Sequence, residues 1–265
     1  MNLLQQEQWQ QELHTKWAGR TCLYYDSIDS TNLRGKALAE KDACHGVLIA
    51  AEEQLSGRGR LGRVWQSPKG KSISMSLVLQ PGFQPRKASM LTLVAAVSLR
   101  KAIFQVTGLE TEIKWPNDIV YQGKKLCGIL TEMSAISEQI RYVVIGMGMN
   151  VNIEVFPEEL PYATSLLLAL GHPVERMELM QRTMEAFEMY YELFLQTEDL
   201  SLIKAEYQTF MAGRNRLVQV LEKEPYCGTC MGISEEGALL VKDQTGSVHQ
   251  VQSGEVSVRG VYGYI

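Results

Sequence analysis

KWPNDIVYQGKKLCGIL, residues Lys114 to Leu130, reads as two strands folded back on a tight turn at Gln122 and Gly123. Pro116 has no N–H to give to a sheet ladder, so a strand ends before it and Asn117 and Asp118 stand where polar groups can face a ligand. With a two-residue turn, Val120 falls opposite Lys125 and Asp118 opposite Cys127. The pleat then puts Asp118 and Lys125 on one face, with Ile119, Tyr121, Lys124 and Leu126 on the other. Lys125, rather than its neighbour Lys124, is the expected partner of Asp118. A solvated surface ion pair is the plainer reading of the hairpin taken alone.

TEIKW precedes this hairpin and QIRYVVIGMGMNVN follows it, so three β-rich stretches run in sequence and predict antiparallel pairing. In VVIGMGMNVN, Val143 to Asn152, Ile145, Met147, Met149 and Val151 form an apolar face. Gly146, Gly148, Asn150 and Asn152 form the other, a bare floor for a planar ring with Asn150 able to donate and accept hydrogen bonds, although a bulge or close helix packing accounts for the glycines almost equally well. Upstream, TCLYYDSI, GVLIAAEEQ and SISMSLVL read as strands, STNLRGKALAEK as a helix, and Ala88 to Val106 as a deeply packed helix because it is apolar nearly all round. Arg176 to Gln196 carries one apolar stripe through Met177, Met180, Met184, Phe187, Tyr191 and Phe194; the methionines read as core filler. The expected fold is α+β, a mixed, mostly antiparallel sheet with helices on one face. Beyond Gly213 five short strands, RLVQVLE, CGTCMGIS, GALLVKD, SVHQVQ and EVSVRG, predict a small β-barrel. This divides the chain into residues 1–212 and 213–265.

Bulk properties narrow the function. With 26 Lys+Arg against 30 Asp+Glu the formal charge is -4, so nothing global attracts nucleic acid. No apolar run reaches the roughly 20 residues of a membrane span, and the glutamine-rich N-terminus has no signal-peptide pattern and reads as a short surface helix. Five scattered cysteines suit reduced thiols in a cytoplasmic protein. The Cys227–Cys230 pair lacks a second CxxC or a His pair to complete a metal site and is read as structural.

One local cluster opposes the acidic background. QLSGRGRLGRVWQSPKG, Gln54 to Gly70, sets Arg58, Arg60 and Arg63 among Gly57, Gly59 and Gly62, with Trp65 beside them, between two core strands. Glycines allow positive φ and close backbone approach, and guanidinium forks suit phosphate or carboxylate, so this is a candidate anion-binding loop, expected to order on its ligand; a solvated turn or disordered Arg/Gly patch is the plainer reading of the cluster without its flanking strands.

Together these segments resemble the catalytic domain of biotin protein ligases: GRGRLGR followed by Trp65, KWPND at Lys114 to Asp118, KKLCGIL, GMGMN, the helix-opening DSTN at Asp29 to Asn32, and the C-terminal SGEVSVRG, similar to the end of the family's SH3-like domain. The resemblance implies a class II aminoacyl-tRNA synthetase-like catalytic domain with a C-terminal SH3-like barrel. It implies ATP-dependent activation of biotin as biotinyl-5'-adenylate and transfer to a lysine of a biotin carboxyl carrier protein. By this resemblance Ser30, Thr31, Asn32, Gln54, Gly57, Arg58, Gly59, Arg60 and Lys125 hold biotin, and Arg63, Trp65, Asn117 and Asn150 the nucleotide. Lys125, Arg60 and Asp118 carry the chemistry. Leu61 departs from the family, several members of which carry a basic residue there. Mg2+ is expected to travel with ATP, with no resident metal. Only about 20 residues precede the first strand, too few for the helix-turn-helix of the repressor members, so a monofunctional ligase without DNA binding is expected. Sheet edges leave a homodimer open. Lipoate-protein ligase is the nearest alternative, and a nucleic-acid-binding module a more distant one.

Overall fold

The computed structural model describes residues 3–41, 44–221, 224–254, 257–260 and 264–265. Met1, Asn2, Glu222, Glu255 and Val256, which fall within predicted elements, lie outside the described residues. Seven strands form the main sheet: β1 (Cys22–Tyr25), β2 (Leu48–Ala51), β3 (Ser72–Leu79), β4 (Glu112–Lys114), β5 (Asp118–Tyr121), β6 (Lys124–Ile136) and β7 (Gln139–Asn150). Their order is β1-β2-β3-β7-β6-β5-β4, with β1 and β2 parallel and the other pairs antiparallel. The two-residue period sorts the faces as the sequence predicts. Ile73, Met75 and Leu77 of β3 and Ile145, Met147 and Met149 of β7 enter the main core, while Ser74, Ser76, Gly146 and Gly148 face the other side.

Helix α3 (Leu91–Thr107), preceded by a 3-10 turn at Pro85–Met90, lies on the core face and is covered in turn by α5 (Arg176–Thr197). The stretch Pro85–Thr107 has the length and hydropathy of a membrane span, contrary to the sequence reading, but 67% of that window is buried inside the fold, as suits a core helix.

Helices cover both faces of the sheet, contrary to the expectation that they lie on one face. Helix α2 (Thr31–Ala39) packs on the opposite side, over β3 and β7. Ile49, Val78, Tyr142 and Val144 make that face apolar at one end, and they are buried with Ala39 and Cys44. Gly35 lets the helix approach: a Cβ there would stand 3.1 Å from Val144 and 3.2 Å from Val78.

The N-terminal helix α1 (Leu3–Glu12) is not a surface helix either. Trp9 and, just beyond α1, Leu13 are buried at 1% and 2% exposure, and Trp9 Nε1 donates to the Gly19 carbonyl at 2.9 Å. The segment after α1 is anchored by the buried Glu188 of α5, whose carboxylate accepts from the N–H groups of Lys16 (2.7 Å), Trp17 (2.8 Å) and Ala18 (2.9 Å). Glu188→Ala orphans all three donors and is expected to cost about 2–4 kcal/mol in urea denaturation, with Glu188→Gln intermediate. A change within experimental error for both variants would mean that water replaces the carboxylate without penalty.

Two short helices, α4 (Leu166–Leu170) and α6 (Lys204–Thr209), were not foreseen. The five predicted C-terminal strands all form: β8 (Leu217–Leu221), β9 (Tyr226–Ile233), β10 (Leu239–Lys242), β11 (Val248–Val251) and β12 (Ser257–Gly260), in the order β11-β10-β9-β8-β12. This second sheet shares the main core through Val220, Ile233, Leu239 and Val241, and Trp115 Nε1 donates to the Gly237 carbonyl across the junction at 3.0 Å.

Candidate active site

The β5–β6 hairpin turns at Gln122 and Gly123, and Val120 pairs with Lys125 as predicted. One step further the register shifts. Ile119 pairs with Cys127 and Asp118 with Gly128, so the expected pairing of Asp118 with Cys127 is wrong. Leu126 is the extra residue of a β-bulge, which sends Cys127 into the core and turns Gly128 onto the face shared by Asp118 and Lys125. Burial pushes the Cys127 thiol well above its ordinary range. The predicted partnership survives the bulge, with Lys125 Nζ 2.7 Å from Asp118 Oδ1.

Gly128 and Gly148 pair across β6 and β7, and the predicted floor is occupied. The Trp65 indole lies on it so closely that a Cβ at Gly148 would come within 2.4 Å of the ring. Lys125 Nζ stands 5.6 Å from the indole centroid, and Trp65 Nε1 is a buried donor with no hydrogen-bond partner among the described residues.

The arginine loop is a hairpin closed over this floor. Gly59 N donates to the Arg63 carbonyl at 2.7 Å and Trp65 N to the Gly57 carbonyl at 2.9 Å. Of Gly57, Gly59 and Gly62 only Gly62 has positive φ (73°), with Leu61 beside it at 57°. Gly57 and Gly59 do not use that freedom. Gly57 is needed for close approach, since a Cβ there would lie 2.2 Å from the Trp65 carbonyl oxygen. Arg60 latches the loop by donating to Asn117 Oδ1 and to the Gly254 carbonyl, each at 2.7 Å. Burial lowers the pKa of its guanidinium, against the opposing pull of Asp118.

At the far end of the floor, Gln54 Oε1 accepts from Thr31 N (2.9 Å) and Thr31 Oγ1 (3.1 Å). Asn32 Nδ2 donates to the Leu130 carbonyl (3.2 Å) and to Glu132 (2.8 Å), and its Oδ1 accepts from Ser76 (2.6 Å). Both amide ends of Asn32 are thus used within the protein, which makes it a strut under the site. Glu132 also pairs with Lys36 at 2.7 Å. Burial opposes its charge, yet the hydrogen bonds from Lys36 and Asn32 prevail and hold its carboxyl below the usual value. Ser30 is buried at the head of α2, and Arg58 is exposed at the rim.

Two cavities open from this floor. A small one, about 50 Å³, runs among Thr31, Gln54, Gly146 and Gly148; a larger one, about 370 Å³, is bounded by Arg63, Asn150 and the segment after β7 that carries Phe156 and Tyr162. Gly59, Arg60, Trp65, Asn117 and Lys125 line both, so Lys125 sits where they meet. Asn150 is held in place by donating to the Thr164 carbonyl at 3.0 Å. The expected biotin and nucleotide residues are therefore brought together around one hairpin lysine.

Sequence reasoning missed Lys114, Tyr162, Arg259 and Tyr264, all of which line the larger cavity. Lys114 was legible as the first residue of KWPND but received no role. Its pKa is pushed down to about 8, first by burial and then by the positive Lys125, Arg259 and Arg63, with Asp118 opposing. Tyr264 carries no local signal.

Residues 24–150 match the Biotin/lipoate A/B protein ligase family and residues 215–259 the Biotin protein ligase C terminal domain. The bifunctional ligase/repressor BirA of Bacillus subtilis is 38% identical over 251 residues, covering 93% of this chain and 76% of that protein. The biotin–[acetyl-CoA-carboxylase] ligase of Paracoccus denitrificans is 32% identical over 228 residues, 82% of this chain and 92% of that one. The structure of the Aquifex aeolicus biotin protein ligase in complex with biotin and ATP superimposes with a TM-score of 0.80 at 29% identity, covering 91% of this chain and 99% of that one. With both regions matched in order and such relatives aligned along most of their length, this chain belongs to the biotin protein ligase family.

Proposed function

We propose that this protein is an ATP-dependent ligase that activates biotin as biotinyl-5'-adenylate and transfers it to a lysine of a biotin carboxyl carrier protein. The observation that carries this reading is Lys125 at the junction of a small cavity over a glycine floor and a larger, cation-lined one. Adenylation brings a carboxylate against an α-phosphate, and a lysine shared by both cavities, with Arg60 beside it, neutralises the two anions as they meet. Ser30, Thr31, Gln54, Gly57, Gly59 and, from the rim, Arg58 hold the biotin rings, with Asn32 bracing them from below. Arg63, Trp65, Asn117 and Asn150 hold the nucleotide, and Mg2+ enters on the ATP phosphates. In transfer, Asp118 accepts a proton from the incoming lysine.

The C-terminal sheet favours this over lipoate ligation, because residues 215–259 match a domain named for biotin protein ligases. Pyrophosphate exchange into ATP with biotin and lipoate in parallel tests the choice; exchange supported by lipoate but not biotin would overturn it. A nucleic-acid-binding module is disfavoured by the net charge of -4. The described helices are packed against the sheets or one another, so we infer no sequence-specific DNA binding by them. We further place the catalytic unit at residues 1–212 and the β-domain at 213–265, and locate the enzyme in the cytoplasm, where its free thiols and ATP suit it. A homodimer would use the β1 edge, since the outer edge of β4 already bonds to residues 210–212 through Ile113.

Arg60→Ala removes the latch to Asn117 and Gly254, and the loss of two charged hydrogen bonds predicts adenylate release faster by about tenfold to a hundredfold. The check is labelling of bystander lysines by escaped adenylate, which should rise as acceptor labelling falls. Acceptor-only labelling would reduce Arg60 to a static contact.

A further inference from the structure

The C-terminal region sends a side chain into the catalytic cluster. Tyr264 donates its hydroxyl to Asp118 Oδ2 at 2.5 Å. Its ring is clamped on two sides, by Lys114 Nζ at 3.2 Å from the ring centroid and by Tyr162, stacked at 5.7 Å with 18° between planes. Tyr162 is itself tied to the hairpin, since its carbonyl accepts from Lys125 N at 2.5 Å. A surface tail residue would not be gripped by three elements of the site.

The other carboxylate oxygen, Oδ1, is engaged by Lys125 Nζ at 2.7 Å and Asn117 Nδ2 at 3.2 Å. Tyr264 therefore decides how Oδ2 is presented, and a carboxylate oxygen bonded once still has a lone pair for a second donor. We propose that Tyr264 is a positioning residue for the transfer half-reaction, fixing the Asp118 carboxylate so that Oδ2 accepts the proton of the acceptor lysine. The role rests on the ligase reading and on Asp118 as the proton acceptor. In that step the amine lone pair forms the C–N bond to the acyl carbon, the acyl C–O bond breaks with its electron pair leaving on AMP, and the nitrogen's proton passes to Asp118.

The groups that face Asp118 are Lys125 of β6, Lys114 of β4, Arg60 of the loop and Tyr264 of the tail, with Cys127 and Tyr207 behind. Burial holds the Tyr264 phenol well above its ordinary range, so it remains a protonated donor. Removing that donor leaves Oδ2 without the contact that orients it, so the presentation of the carboxylate to the acceptor lysine is lost while the carboxylate itself is retained.

The test uses the full chain as wild type, Y264F and D118N, and the double variant. Two quantities are compared: biotin-dependent pyrophosphate exchange, and single-turnover transfer from preformed biotinyl-adenylate to a biotin carboxyl carrier domain over a range of acceptor concentrations. Y264F should lower the transfer rate at saturating acceptor about tenfold more than exchange, with the half-saturating acceptor concentration unchanged, whereas adding it to D118N should change nothing further. Y264F keeps the clamped ring, and an unchanged melting temperature would confirm that the fold is intact. Equal losses in both half-reactions, a loss confined to the half-saturating acceptor concentration, or a further loss on top of D118N would overturn the role. Wild-type protein without biotin-dependent exchange would instead overturn the ligase reading on which it rests.

Discussion

Lys125→Ala should lower biotin-dependent pyrophosphate exchange about a thousandfold, the effect expected when one preorganised charge is removed from a developing anionic transition state. The ammonium is 2.7 Å from Asp118 and lines both cavities, so no neighbour on the hairpin can replace it. Lys124 pairs with Tyr121 at the turn and is exposed, so Lys124→Ala should stay within about twofold of wild type, as surface substitutions usually do. Stability should change little, because the Lys125 side chain is 28% exposed and Asp118 keeps donors in Asn117 and Tyr264. Equal losses of exchange in the two variants would mean that the bulged register does not select Lys125.

Gly148→Ala should weaken biotin binding about a hundredfold, through the cost of overpacking a closed contact. The added Cβ would lie 2.4 Å from the Trp65 indole, and the indole is backed by the closed arginine loop, so the ring must leave the floor. Loss of the ring's seat also unseats Arg60 and Arg63, which precede it in the loop. Gly82→Ala is the control, since a Cβ there meets nothing within 4 Å. Titration calorimetry with biotin measures the effect, and Trp65 emission should shift toward exposed indole in Gly148→Ala alone. Wild-type affinity in Gly148→Ala would show that the indole does not rest on the glycine floor in solution.

The candidate site was legible where it depends on neighbours in sequence. Lys125 could be chosen over Lys124 because a two-residue turn counts outward from itself. The floor of β7 could be read because glycine and methionine alternate along one strand. The same counting failed at Cys127, since a bulge inserts one residue and every period-two inference beyond it changes face. It failed again for Gly57, whose constraint is the Trp65 carbonyl eight residues away rather than its own φ.

By itself, then, the amino-acid order determined the strands, the long helices, the C-terminal β-region and the family resemblance, because each is written in local periodicity, turn chemistry or short motifs. Only the tertiary structure decided that helices cover both sheet faces, that Trp9 is core, that Asn32 is a strut and that Tyr264 reaches Asp118. These outcomes depend on which apolar surfaces and polar groups remain unsatisfied once the sheet is assembled. Residues 146 positions apart share a hydrogen bond that no local pattern encodes.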